Sequence, residues 1–197
     1  EKIRDKINQP FELSGGKQNF TASIGVSVFP DLVALPEEIL EQADTAMYRS
    51  KKMGRNRVSF FSVQMQDEHN RKSSLERMLH VALDKQQFVV YYQGQTNLEG
   101  EMLNAEALLR WVHPEQGMVS PAEFIPVAED SHLIVDIGSW VLNEVCRQIK
   151  TWQQTGIYLE HVAVNISPRQ FRQDDFVQQV ESAIVSSGIE AKCLMIE

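Results

Sequence analysis

The feature that most constrains the fold is an alternation of strand-like and helix-like segments after residue 87. Strand patterns are predicted at Phe88–Gln93, Leu103–Trp111, His161–Ile166 and from Cys193 onward, and helical patterns separate most of them. Helices that connect successive strands favour a parallel sheet or barrel, because parallel pairing needs a long crossover. The sequence therefore predicts an α/β fold for this part of the chain.

The first 61 residues have a different organisation, with short strands around one amphipathic helix. The predicted elements are the end of a helix, a hairpin with its turn, a half-buried return strand, a helix and a short strand, at Glu1–Asn8, Phe11–Gly16, Phe20–Val28, Pro36–Gly54 and Arg57–Phe61. This mixture predicts a separate α+β segment.

The charge balance also changes near Ser62. Residues 1–61 carry nine Lys/Arg and eight Asp/Glu, whereas residues 62–197 carry ten and nineteen. We therefore expect three segments: 1–61, a helical linker with a first helix at 62–86, and 87–197. Within the linker, the polar stretch Gln64–Ser74 lacks apolar periodicity until Leu75. The acidic second part argues against binding to long nucleic acid, since such binding depends on basic residues that release counterions.

The composition indicates a globular protein in a reducing compartment. Of the residues, 43% are hydrophobic, and the longest apolar runs, such as Phe88–Tyr92, fall far short of a membrane helix. Cys146 and Cys193 have no zinc-site spacing, and two cysteines need no disulfide framework, so we expect a cytoplasmic location. The chain starts at Glu1 without a leader, and we expect it to be an excerpt of a longer protein.

Three oxygen-bearing side chains lie in or at the ends of predicted strands of the second part. They are Glu106, Asn165 and Glu197. Because the ends of barrel strands converge at one face, these side chains could meet there, and their oxygens suit Mg²⁺ or Mn²⁺. Spacing alone nevertheless favours the alternative that each is a capped or solvent-facing strand residue.

A set of motifs favours the metal site over that alternative. In chain order they are Tyr91-Tyr92-Gln93, Ala105–Trp111, His113-Pro114, Ser120-Pro121, Phe124-Ile125-Pro126 with Ala128-Glu129, and Val164–Ser167. In this order the motifs resemble the EAL domain family, the cyclic di-GMP phosphodiesterases. The resemblance implies a partial TIM-like (β/α) barrel, and hydrolysis of cyclic di-GMP to the linear dinucleotide pGpG with two divalent metals, Mg²⁺ or Mn²⁺.

The resemblance also implies roles for individual residues. Glu106 matches the motif glutamate, a catalytic residue and metal ligand, and Asn165 and Glu197 match further metal ligands. Arg110 matches an arginine that contacts a substrate phosphate, which suits the planar fork of a guanidinium group. Gln93 lies in the strand motif near the substrate.

Residues 1–61 resemble the tail of a second family, the GGDEF diguanylate cyclases. The supporting residues are Ala22–Val26, Phe29-Pro30, Ala43–Tyr48, Lys51 and Gly54–Asn56. In active relatives the basic residues at Lys51 and Arg55 help to hold nucleotide phosphate, and their four-residue spacing at a helix end would let both point one way. The alternative is a solvated basic helix terminus. Gly15-Gly16 is a turn and does not represent the signature loop.

Several other residues are predicted to be structural. His113 and His132 are each expected to have a structural role, and Trp140 and Trp152 are expected in the core. Ser120 with Pro121 begins one predicted helix, a second is Leu133–Gln154, and Asp174 caps a third that Gly188 ends.

Two residues depart from the EAL pattern, and the chain spans only about half of a barrel. Gly94 stands where proline is usual, and His132 stands where glycine is common. We therefore expect this stretch alone to be incompetent for catalysis, because the later metal ligands and the water-activating residues lie outside it. The rival hypothesis is a catalytically silent receptor for cyclic di-GMP or a protein partner. A homodimer through the EAL domain and a regulatory hinge at Gln64–Gln87 are further expectations.

Overall fold

The computed structural model describes residues 1–13, 15–29 and 35–197 and divides into two compact units, Glu1–Ser73 and Ser74–Glu197. The predicted turn residue Ser14 lies outside the described residues. Among the described helices, none has the length and apolar content needed to cross a membrane.

The first unit contains two small sheets. Its elements before the linker are α1 Lys2–Ile7, β1 Phe11–Leu13, β2 Gly16–Gln18, β3 Ile24–Val26, α2 Pro36–Lys52 and β4 Val58–Phe60. Strands β1 and β2 form the predicted antiparallel hairpin, and β3 pairs with β4 in parallel. The prediction of a return strand over Phe20–Val28 is wrong. The return strand is β2, and only the part of that alternating run that meets β4 becomes a strand.

Helix α2 packs directly on β3 and β4. A Cβ atom added at Gly25 would lie 2.0 Å from the Ala43 carbonyl oxygen, so the helix backbone touches the strand. The hydroxyl of the fully buried Ser50 donates to the Ile24 carbonyl at 3.0 Å and bonds the Ser59 hydroxyl at 2.7 Å. These contacts join the helix to both strands of the parallel pair.

Helix α3 covers Val63–Ala82 and therefore includes the polar stretch at Gln64–Ser74. The stretch lacks an apolar stripe, and side-chain contacts with α2 support it instead. Within the first unit, Gln66 bonds Thr45 at 3.3 Å, Glu68 pairs with Arg49, and the His69 ring lies edge-on to the Tyr48 ring. The second part of α3 is amphipathic as predicted, with Leu75, Leu79 and Ala82 buried.

The second unit is a sheet covered by helices. Its elements after α3 are β5 Phe88–Thr96, β6 Met102–His113, β7 Gly117–Val119, α4 Pro121–Asp130, α5 Ile134–Gln154, β8 Val162–Val164, α6 Pro168–Phe171, α7 Phe176–Ser187 and β9 Leu194–Ile196. The strand order is β5-β6-β8-β9, with β7 paired to β6 beyond this path. The predicted parallel pairing holds for β6, β8 and β9, which helices connect.

Two strands depart from the parallel expectation. Both β5 and β7 are antiparallel to β6. The turn at Asn97–Gly100 is too short for a crossover, so the chain has to reverse direction there. The short strand β7 was not predicted.

Aromatic side chains fill the core of the second unit near the C-terminal end of β6. Trp111 and Phe124 are fully buried, and their rings lie 5.5 Å apart in an edge-on arrangement. Trp140 approaches Phe88 at 6.2 Å, and both Trp140 and Trp152 pack against the buried cluster. The prediction of two core tryptophans on α5 is confirmed.

The predicted end of α7 at Gly188 is confirmed, whereas the predicted N-caps of α7 and α4 are only partly confirmed. Gly188 ends α7 with a φ of +67°, a left-handed conformation that favours glycine. The N-cap of α7 is Asp175 and not the predicted Asp174, and its carboxylate makes no capping bond. Ser120 is the N-cap of α4 as predicted, but its side chain also makes no capping bond.

Candidate functional site

Strand β6 presents two chemically different faces. Ala105, Ala107 and Trp111 are buried on the face that packs against the helices. Because side chains alternate along a strand, Glu106 and Arg110 lie on the opposite face. The sequence predicted site residues at these two positions, and the strand places both on one side.

Glu106 and Asn165 come into direct contact. Strand β8 pairs with β6 in parallel so that Ala163 lies opposite Glu106, and Asn165 follows the end of β8. The Asn165 Nδ2 atom donates a hydrogen bond to Glu106 Oε1 at 2.8 Å. Glu106 is half-buried, while Asn165 is exposed. The structure therefore brings together two of the three oxygen-bearing residues that the sequence singled out.

The backbone of Glu197 lies next to the same pair. Its amide donates to the Val164 carbonyl at 3.0 Å, and its carbonyl accepts from the Ile166 amide at 2.9 Å. The main chain of Glu197 thus pairs with the residues on both sides of Asn165. Within the described part of the chain, the exposed Glu197 side chain has no hydrogen bond to Glu106 or Asn165, so its role as a ligand stays a prediction.

The Glu106–Asn165 pair fits a divalent cation. The oxygen and nitrogen of an asparagine amide are assigned from hydrogen bonding, and turning the group over would place an oxygen beside Glu106 Oε1. In that orientation the carboxylate and the amide would offer two neighbouring oxygens, the type of ligand that Mg²⁺ prefers. Among the described residues, no group of three or more His, Cys, Asp or Glu side chains is arranged to hold a metal. The predicted set is instead two carboxylates and an amide.

Arg110 occupies a separate position on the same strand face. It lies four residues beyond Glu106, about 14 Å along the strand. Its Nη1 atom donates to the Leu109 carbonyl at 2.9 Å, and its guanidinium carbon lies 5.8 Å from the centroid of the Tyr91 ring. Gln93 lies directly opposite Glu106 on β5 and is exposed. A ligand that bridged Arg110 and Glu106 would have to be extended.

A cavity of about 340 Å³ connects the ends of β6 and β8. Arg110 and Asn165 line it together with Glu129, Gly138 and Gln170. Gln170 is 1% exposed, and its buried Nε2 atom has no hydrogen-bond partner among the residues that the structure describes. An unsatisfied buried donor beside a cavity is a group that a ligand could satisfy.

Sequence reasoning missed the contributions of Gly138 and Gln170 to this cavity. A Cβ atom at Gly138 would lie 2.0 Å from the Gln170 Oε1 atom, so the amide rests against a bare helix backbone. Residues 137–141, in the middle of α5, carried no motif that would have pointed to them. Gln170 could have been noticed because it lies three residues after Ser167, the last residue of a predicted motif.

The comparisons with known proteins identify a family for each segment of the chain. Residues 76–197 match the family model described as "EAL domain", which is more than half of the chain. The chain belongs to the EAL family. Residues 1–57 match the model described as "Diguanylate cyclase, GGDEF domain", so a GGDEF segment precedes the EAL segment as expected. EAL domains adopt a TIM-like barrel, and the sheet of the second unit represents part of one.

Relatives of the EAL segment carry phosphodiesterase names. The chain is 37% identical over 198 residues to the bifunctional diguanylate cyclase/cyclic di-GMP phosphodiesterase MucR of Pseudomonas aeruginosa, covering 100% of this chain and 29% of that protein. It is 37% identical over 169 residues to the cyclic di-GMP phosphodiesterase PdeR of Escherichia coli, covering 86% of this chain and 25% of that protein. The chain therefore spans about a quarter of the length of these relatives.

One solved structure adds a ligand to the comparison. The structure titled "PaMucR Phosphodiesterase, c-di-GMP complex" is 40% identical to this chain, with a TM-score of 0.60. The match covers 62% of this chain and 50% of that chain.

The two basic residues of the GGDEF segment do not share one helix face. Lys51 is exposed in the last turn of α2, but the helix ends at Lys52. Arg55 lies beyond the helix with a φ of +60°. The argument that four-residue helical spacing aligns Lys51 with Arg55 is therefore wrong, and their phosphate role stays a prediction.

The two residues that depart from the EAL pattern differ in their surroundings. Gly94 sits in β5 opposite Ala105, and a Cβ atom there would lie 2.9 Å from the Met102 Cε atom. His132 has a φ of +68°, in the left-handed region where glycine is favoured, which accounts for the glycine common at this position.

The two histidines make local contacts. His132 Nε2 lies 2.6 Å from Arg169 Nη1. His113 Nδ1 accepts from the amides of Glu115 and Gln116, at 3.2 and 3.3 Å, and so closes the turn before β7. These contacts agree with the structural roles predicted for both residues.

Proposed function

We propose that the protein containing this chain is a cyclic di-GMP phosphodiesterase that hydrolyses the cyclic dinucleotide to linear pGpG with bound Mg²⁺ or Mn²⁺. The single observation that carries this proposal is the contact of 2.8 Å between Glu106 and Asn165. A carboxylate and an amide from neighbouring strands are brought close enough to share one cation. The phosphodiesterase names of the relatives and the bound ligand of PaMucR support the choice of substrate.

The residues of this chain have separate roles in the proposed reaction. Glu106 in β6, Asn165 after β8 and Glu197 after β9 would hold the metal. A divalent cation there supplies an acidified water and neutralises developing charge on the phosphate. Arg110 binds a phosphate oxygen through its guanidinium fork, and Gln93 contacts the substrate from the adjacent strand.

The proposed activity belongs to the longer protein. We propose the division into 1–61, 62–86 and 87–197, in which the last segment is the first half of the barrel. The match to the PaMucR structure covers 50% of that chain, and we propose that the present chain alone is inactive. We also propose a cytoplasmic location, homodimerisation through the EAL domain, and phosphate binding by Lys51 and Arg55.

The rival proposal is a receptor that binds cyclic di-GMP without turnover. The retention of both Glu106 and Asn165 in contact favours the enzyme, since binding alone needs no cation-holding pair. The receptor proposal gains support only if the full-length protein binds tightly without hydrolysis.

The decisive experiment measures conversion of cyclic di-GMP to pGpG by the full-length protein with Mg²⁺, with Mn²⁺ and with EDTA. We expect metal-dependent turnover that Glu106→Ala abolishes. The matched control is Glu99→Ala, at an exposed position in the β5–β6 turn, which should retain full activity. Tight binding without turnover would establish the receptor, and turnover unchanged in Glu106→Ala would refute the assigned role of that carboxylate.

Regulation through the linker is a separate proposal. Because α3 is one continuous helix from Val63 to Ala82, its state can bias the EAL segment. Deleting one helical turn within Gln64–Ser74 should change the response of turnover to guanine nucleotides. An unaltered response would contradict the linker proposal and leave the phosphodiesterase proposal intact.

A further inference from the structure

Tyr91 faces the same side of the sheet as Arg110 and lies close to it. In the antiparallel pairing of β5 with β6, Tyr91 is opposite Leu108, and Arg110 is two residues further along β6. Diagonal neighbours on one face of a sheet are within reach of long side chains. The guanidinium carbon of Arg110 lies 5.8 Å from the Tyr91 ring centroid, within the range of a cation–π contact.

We propose that Tyr91 is a positioning residue for Arg110, holding its guanidinium over the aromatic ring in the orientation that receives a phosphate of the substrate. This proposal rests on the phosphodiesterase function proposed above. Arginine has several rotatable bonds, and a free arginine loses considerable rotamer entropy when it binds an anion. Stacking on a fixed ring restricts the side chain before the ligand arrives.

The second contact of Arg110 completes the arrangement. Nη1 donates to the carbonyl of Leu109, which anchors one edge of the guanidinium to the strand itself. Neither a carbonyl group nor an aromatic ring carries a negative charge. The two contacts therefore orient the guanidinium without neutralising it, as an anion site requires.

Tyr91 and its neighbour Tyr92 lie on opposite faces of β5. Tyr91 is on the face that carries Glu106 and Arg110. The adjacent Tyr92 provides the contrast. It points to the other face of β5, where its ring packs edge-on against Trp152 at 4.7 Å. One tyrosine of the pair thus serves packing, and the other faces the candidate site.

A double-mutant cycle in the full-length protein tests the proposal. Tyr91→Leu, Tyr91→Phe, Arg110→Ala and Tyr91→Leu/Arg110→Ala are compared for KM and kcat with cyclic di-GMP. An exposed cation–π contact of about 0.5–1 kcal/mol corresponds to a two- to fivefold effect on kcat/KM in Tyr91→Leu. Tyr91→Phe retains the ring and should behave like wild type. In the Arg110→Ala background, Tyr91→Leu should have no further effect.

The control and a second measurement make the outcome unambiguous. Tyr158→Leu removes a tyrosine that is 74% exposed in the α5–β8 connection and should leave kcat/KM unchanged. Additive effects of Tyr91→Leu and Arg110→Ala, or a defect in Tyr91→Phe equal to that in Tyr91→Leu, would overturn the proposal. Failure of the wild-type protein to turn over the dinucleotide would contradict the proposed function alone.

The position of Arg110 can also be measured without activity. In full-length protein with isotope-labelled arginine, the side-chain NMR signal of Arg110 is identified by its loss in Arg110→Lys. We expect an upfield ring-current shift in wild type and in Tyr91→Phe that disappears in Tyr91→Leu. A signal that is identical in wild type and Tyr91→Leu would overturn the positioning role whatever the protein hydrolyses.

Discussion

The side chains of Glu106 and Asn165 meet at 2.8 Å although 59 residues separate them in the chain. The contact follows from the parallel pairing of β6 with β8, which places the end of β8 beside the middle of β6. The contact joins neighbouring strands of one sheet and places a carboxylate beside an amide.

Replacing the amide by a carboxylate tests whether this contact is a cation site. In Asn165→Asp, two carboxylates would lie about 3 Å apart, and without metal their repulsion should reduce the free energy of unfolding by about 1 kcal/mol. Mg²⁺ should remove most of that loss. The measurement is thermal unfolding of the full-length variant in EDTA and in Mg²⁺.

The matched control for this charge change is Asn143→Asp. Asn143 is also exposed, but it lies on α5 and bonds the Ser139 carbonyl. Its variant should show the same Tm difference between EDTA and Mg²⁺ as wild type. An Asn165→Asp protein that Mg²⁺ stabilises no more than this control would contradict the cation site.

Gly25 is predicted to be irreplaceable in the first unit. Alanine there would place a Cβ atom 2.0 Å from the Ala43 carbonyl oxygen and 2.2 Å from the Met47 amide nitrogen. Both atoms belong to the backbone of α2, so the helix would have to move off β3. We expect Gly25→Ala to cost about 3 kcal/mol or more.

Limited proteolysis and thermal melting measure this effect, with Gly15→Ala as the control. A Cβ atom at Gly15 would meet nothing within 4 Å, so that variant should match wild type. Equal protease resistance of the Gly25→Ala and Gly15→Ala proteins would show that α2 does not pack on β3 as described.

The parts of the fold that the sequence predicted well are those with strong local patterns. The alternation in β6 separates its buried face from Glu106 and Arg110, and Gly188 marks the end of α7. The sequence also predicted that Glu106 and Asn165 come together, and their side chains are in contact. Local pattern and simple topology were sufficient for these features.

The features that the sequence did not predict depend on contacts between distant residues. A helical linker was predicted, but the contacts with α2 that stabilise its polar stretch at Gln64–Ser74 were not. Arg55 has a left-handed backbone and lies beyond the end of α2. Its predicted phosphate role had assumed that it shares a helix face with Lys51. The contact of Gln170 with Gly138 depends on how α5 and α6 pack. This packing leaves no periodic pattern in the sequence.

Burial of Cys146 predicts a loss of stability at alkaline pH. Cys146 is fully buried, and desolvation raises the pKa of its thiol to about 11. The unfolded chain loses this proton near pH 8.5, whereas the folded chain retains it. Deprotonation therefore favours the unfolded state between about pH 8.5 and 11, with a slope below about 1.4 kcal/mol per pH unit.

Urea unfolding at pH 7.5, 8.5 and 9.5 measures this slope. The upper limit of pH 9.5 avoids Tyr92, whose pKa burial also raises from its ordinary value near 10. Cys146→Ala is less stable at every pH because it leaves a cavity, but its stability should fall less steeply with pH than that of wild type. Parallel curves for the two proteins would contradict the burial of this thiol.

The left-handed backbone at His132 predicts that His132→Gly is more stable than His132→Ala. A residue other than glycine pays about 1 kcal/mol or more in the left-handed region. His132→Ala loses the contact with Arg169 and keeps the strain, whereas His132→Gly loses the contact and relieves the strain. We therefore expect the glycine variant to be more stable than the alanine variant by about 1 kcal/mol, measured by urea unfolding with tryptophan fluorescence.

The neighbouring Ser131 supplies the control. It has a φ of −88° and right-handed backbone, and its hydroxyl bonds the Val127 carbonyl at 2.8 Å. Both Ser131→Ala and Ser131→Gly lose that bond, and here the glycine variant should be the less stable one because of its greater freedom in the unfolded chain. The order of glycine and alanine should thus reverse between two adjacent residues. The same order at both positions would mean that the chain does not enter α5 through a left-handed residue.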